Sequence, residues 1–157
     1  MHKFLKAGLV GAMSAGLLLG ATVPAQASQS YSFNTATDYT YSNNDGKAHT
    51  KGTITYHGKY AFTYNVGVRD LCAPSGKGDG YGAYVQIMIR HMDGSTKAGT
   101  IAKDTNGCGT TFRWSKDYNK FGKKIRWVQL RVYEYDVDTN HIKDSSTTRR
   151  IDNPYTG

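Results

Sequence analysis

The sequence predicts an all-β protein, a single antiparallel β-sandwich or Greek-key domain of about seven or eight strands with one disulfide. Large apolar and aromatic residues recur at every second position along most of the chain, clusters of Gly, Asn, Asp and Pro separate these runs, and no window sustains a helical period. Successive strand side chains point to opposite faces, so each alternating run specifies one face for burial.

Tyr31 and Phe33, then Tyr39 and Tyr41, mark a first strand region, and a second runs from about Lys47 to His57. His57-Gly58-Lys59 reverses the chain into a strand whose inward row is Tyr60, Phe62, Tyr64, Val66 and Val68, making a hairpin. Asp70 to Gly82 carries Pro74 and glycines at 76, 78, 80 and 82 and reads as a loop, because proline lacks a backbone donor and glycine loosens the chain. A strand from Tyr84 to Met92, apolar on both faces, is expected to turn at Asp93-Gly94 through a type I′ hairpin into Thr96 to Lys103. Asn106-Gly107 then leads past Cys108 into a strand over Thr110 to Ser115, and Lys116 to Lys123 is expected to form a short helical turn if anything regular.

The longest strand, Lys124 to Val137, has two unlike faces. Val128, Leu130 and Val132 form an aliphatic row that belongs to the core, whereas Trp127, Arg131, Tyr133 and Tyr135 are expected to face outward as a binding platform. Tyrosine combines a flat apolar ring with a polar tip, which suits stacking on sugars and packing at protein interfaces. Asp138-Thr139-Asn140 turns the chain, and Ser145 to Ile151 returns as the last strand.

The first 27 residues have the three zones of a secretory signal: a cationic start with Lys3 and Lys6, an apolar run from Ala7 to about Ala21, and small residues at Ala25 and Ala27. The run is short and glycine-broken, which predicts cleavage after Ala27 and no membrane span. Residues 28–157 are then one secreted domain of formal charge +6, the chain's +8 less the two signal lysines. Cys72 and Cys108 are the only cysteines. In an oxidising compartment such a pair predicts a disulfide, whose loop of roughly 35 residues is worth about 3 to 4 kcal/mol in the chain-entropy picture.

The chemistry-bearing motifs are few. No nucleophile elbow, zinc-binding helix or phosphate-cradling loop occurs, so no cofactor, metal or catalytic residue is expected. Glu134, His141 and Arg131 are the residues a small ribonuclease would use as base, acid and charge stabiliser. Asp136-x-Asp138-x-Asn140 begins like a calcium loop, but His141 and Thr147 stand where such a loop needs glycine and glutamate. Asp70, Asp79 and the intervening glycines are a second place where an ion would fit, although a plain flexible loop is the safer account.

Lys47-Ala48-His49-Thr50-Lys51-Gly52, Val68-Arg69-Asp70-Leu71-Cys72 and Tyr135-Asp136-Val137-Asp138-Thr139-Asn140-His141 resemble segments of small exported proteins of streptomycetes and related actinobacteria. The resemblance implies secretion and a compact β-domain and transfers no site residue. The expected function is a secreted, non-catalytic binding module for an extracellular protein or a cell-surface glycan, with nucleic acid not the expected partner. The alternatives are a subunit of a secreted assembly, such as an antagonistic toxin particle pairing through the edge near Tyr31 to Tyr41, and a small hydrolase.

Overall fold

The structure, a computed structural model, describes residues 27–37, 46–73, 75–76 and 78–157. Residues 1–26 of the expected export segment, Tyr39, Tyr41 and Pro74 lie outside the described residues. The described elements are nine strands: β1 Gln29–Ala36, β2 Lys47–Tyr56, β3 Ala61–Leu71, β4 Gly82–His91, β5 Thr96–Asp104, β6 Arg113–Lys120, β7 Ile125–Asp136, β8 His141–Thr147 and β9 Ile151–Asp152. They form two antiparallel sheets, one of order β1-β2-β3-β6 and one of order β5-β4-β7-β8, with β9 also pairing to β7.

The alternating rows close over one another as the sequence predicts. Ile54, Tyr56, Phe62, Val66 and Val68 of the first sheet meet Val85, Ile87, Val128, Leu130 and Val132 of the second, and almost none of their surface is exposed. Burial of each such side chain contributes about 1.5–3 kcal/mol. Tyr56 spans the layer and donates its hydroxyl to the Ile151 carbonyl at 2.6 Å, so its ring is buried with its polar tip satisfied. Cys72 and Cys108 are bonded, with Cα atoms 4.6 Å apart, and Gly109 N donates to the Asp70 carbonyl beside them at 2.7 Å.

Four expectations change. Lys116 to Lys123 does not turn helically: β6 continues through Lys120, because Trp114, Lys116 and Tyr118 pair in register with Gly67, Asn65 and Thr63 of β3. Tyr60 lies in the turn and is 41% exposed, so the inward row of β3 begins at Phe62. The last strand starts earlier, at His141, and breaks at Thr148, whose hydroxyl accepts from Leu130 N while its own N–H donates to the Leu130 carbonyl. The Asp93-Gly94 turn is not type I′, which needs two residues of positive φ. Only Gly94, at φ 86°, has one; its N–H donates to the His91 carbonyl, giving a type I turn closed by a left-handed glycine.

Candidate binding surface

Trp127, Arg131, Tyr133 and Tyr135 do share the outer face of the second sheet, but their rings are engaged with one another and their neighbours. Tyr133 stacks on Tyr84 with ring centroids 5.6 Å apart, and Tyr135 meets both edge-on at 5.3 and 6.3 Å. Tyr133 is only 9% exposed, and its hydroxyl lies 3.3 Å from the Thr100 hydroxyl. Arg131 leans over Tyr133 at 5.5 Å and donates to the Ser145 hydroxyl at 3.0 Å, while Arg150 covers Trp127 at 4.9 Å. The open platform expected there is thus closed at its centre. The cause is position: β7 is flanked on both sides, so that Tyr84 of β4 packs on Tyr133 and Tyr135, and Arg150, just before β9, lies over Trp127.

The hydrolase residues are not brought together. Glu134 is 1% exposed on the core side of β7, where its Oε1 accepts from the Thr37 hydroxyl at 2.6 Å and from Ala48 N at 3.1 Å. Arg131 points to the opposite face of the same strand, and His141 is exposed at the start of β8. Asp136 is occupied by its turn, accepting from Asp138 N, Thr139 N and the Thr139 hydroxyl.

A different surface carries the exposed rings. On the outer face of the first sheet, Trp114 and Tyr118 are 54% and 55% exposed, and both stand on β6, an edge strand. They are four residues apart, about 13 Å along the strand. Gly67 of β3 makes the floor: a Cβ there would sit 3.1 Å from Phe112 and Trp114, so both rings close on its bare backbone, tilted 41° to one another. Phe112 is itself clasped by cations, with Lys51 Nζ 4.4 Å and the Arg69 guanidinium 4.6 Å from its centroid.

Register fixes the charge of this face. The outward residues of β1, β2, β3 and β6 include Lys47, Lys51, Arg69, Lys116 and Lys120 and no aspartate or glutamate. His49 lies among them, its ring 5.2 Å from Phe112. Arg69 Nε donates to His49 Nδ1 at 3.1 Å, which leaves Nε2 to carry the proton and donate to Asn34 Oδ1 at 2.6 Å. Burial first, then the charges of Arg69, Lys47 and Lys51, hold the His49 pKa below its usual value, so the imidazole is neutral at pH 7. From Trp114 a groove of about 590 Å³ continues across the seam between β6 and β5, lined by Tyr84, Lys103 and Arg113.

In the sequence, alternation over Thr110 to Ser115 puts Phe112 and Trp114 on one face but gives them no role. The signal available was the absence of acidic residues at the outward positions of β2 and β3, but the place of β6 beside β3 was needed to see it. No family model, curated protein or solved structure matches the chain.

Proposed function

We propose that this protein is an exported, non-catalytic binding module that lays an anionic polysaccharide across the outer face of its first sheet. Trp114 and Tyr118 stack on sugar rings, Lys51, Arg69 and Lys116 meet the carboxylate, sulfate or phosphate groups, and the groove beyond Trp114 takes the continuing chain. The observation that carries this reading is the pair of half-exposed rings on a face with cations and without carboxylates. Flat rings supply sequence-tolerant stacking, and an unopposed positive field favours an anionic polymer over a neutral one.

Affinity electrophoresis of the oxidised protein through gels containing a soluble uronic-acid polysaccharide tests the proposal. Trp114→Ala is expected to weaken retention about tenfold, the scale of one lost stacking ring, while Trp127→Ala leaves it unchanged. Loss with Trp127→Ala and none with Trp114→Ala would return the site to the second sheet. Preference for single-stranded nucleic acid over every polysaccharide tried would overturn the ligand class. Export is tested separately, by the intact mass of secreted material, which should begin at Ser28.

A further inference from the structure

The loop after β3 and the turn after β7, far apart in sequence, line one cavity of about 260 Å³ beside the disulfide. Its wall carries Asp70, Asp79, Asp136 and Asp138 together with Tyr81 and Tyr135. Asp79 is fully engaged: it accepts from Tyr81 N and Gly46 N, each at 3.1 Å, and pairs with Lys143 at 3.5 Å. Asp136 is held in its turn. Asp70 differs. It is only 3% exposed, its N–H donates to Asp104 Oδ2 and its carbonyl accepts from Gly109 N, yet among the described residues no donor reaches its carboxylate.

A buried carboxylate without a donor is costly. Burial, followed by the nearby charges of Asp79, Asp104 and Glu134, pushes the Asp70 pKa up to about 7. Those are the acidic groups facing it, from the loop, β5 and β7. The cations nearby are already committed, Arg113 of β6 to Asp104 at 3.6 Å and Lys143 of β8 to Asp79. Among the described residues no three His, Cys, Asp or Glu side chains converge as metal ligands. The molecule itself displays what fits: Lys143 Nζ rests 4.6 Å over the Tyr81 ring while pairing with Asp79.

We infer that the cavity binds a protonated primary amine from outside, with Asp70 as its ion-pair partner, Tyr135 as an aromatic wall and Asp138 at the rim. A lysine side chain of a protein and an amino sugar of a glycan both present this group. The inference stands apart from the polysaccharide face, which lies on the outside of the first sheet, whereas Asp70 lies in the buried row of β3.

Amide NMR titrations of the oxidised protein with Nα-acetyl-lysine and with glucosamine test it, using Nε-acetyl-lysine and N-acetylglucosamine as neutral controls. Saturable shifts are expected at Gly78, Gly80, Tyr81 and Gly107 with the amines only. Affinity for Nα-acetyl-lysine, whose ammonium stays charged, should rise about tenfold from pH 6 to pH 8 as Asp70 loses its proton. Asp70→Asn, which keeps shape, should weaken binding at least tenfold, and Asp138→Asn, on the exposed rim, about threefold. The tighter of the two amines names the source. Equal response to the neutral controls, unchanged binding in both variants, or a response at these amides to calcium alone would overturn the assignment.

Discussion

The outer faces of the two sheets are built from similar residues and end in opposite states. The second sheet places Tyr84, Tyr133 and Tyr135 on neighbouring central strands, where they stack, turn edge to face and bury one another. The first sheet places Trp114 and Tyr118 on an edge strand over glycine and short polar side chains, where each meets a single ring, Phe112 at 6.0 Å and His57 at 5.7 Å, and stays more than half exposed. An aromatic ring on a β-surface becomes available for contact through its neighbours, not through its own chemistry. Central rings stabilise the fold, and edge rings are left over for a partner.

The sharpest way to break this contrast is Tyr133→Ala. It should destabilise the protein by about 3 kcal/mol, the scale for deleting a buried ring, as read from urea melts, while polysaccharide retention of the folded variant stays intact. Reduced retention with unaltered stability would mean that the closed row is the functional one. Next in size is the pH response of the interior. Asp70 keeps its proton in the folded state up to about pH 7, against 3.8 for the ordinary carboxyl. Its contribution is therefore complete below the lower value and is lost as pH rises through the upper one. Asp70→Asn should stabilise the protein at pH 8 by on the order of 2 kcal/mol and do nothing at pH 3. His49 on the outer face has the opposite slope. Its lowered pKa means stability present above 6.5 and lost as pH falls below that value.

Smaller effects sharpen the face itself. Lys51→Gln and Arg69→Gln should each weaken retention a few-fold, about 1 kcal/mol, and flatten its dependence on salt, since screening acts on the charges removed. A salt response unaltered in both would place the anionic contacts elsewhere. Gly67→Ala is the mildest. Its methyl group must displace Phe112 and Trp114 by a few tenths of an ångström, which should shift the tryptophan emission while changing stability by no more than about 0.5 kcal/mol.

The strands were legible because alternation is a local property. Phe62 to Val68 and Val128 to Val132 declare their buried faces without any knowledge of neighbours, and two cysteines leave a single pairing. Strand order was not legible, since nothing local in Arg113 to Lys120 says that it pairs with β3. Its charged composition read as a turn, and so the most exposed rings went unassigned while Trp127 and Tyr133 were favoured. In the sequence Asp70 and Asp138 belong to separate loops; only the packing of one sheet on the other brings them to one cavity.

The disulfide has a kinetic consequence. Val68 and Arg113 are paired across β3 and β6 although more than forty residues separate them, yet Val68 lies four residues before Cys72 and Arg113 five after Cys108. Through the sulfur bridge the two strands are connected as closely as the arms of an ordinary hairpin. Oxidation converts the slowest kind of contact to form, a remote one, into a short-range closure, so the aromatic edge strand is expected to dock early once the bond exists and late, or loosely, in a reduced chain.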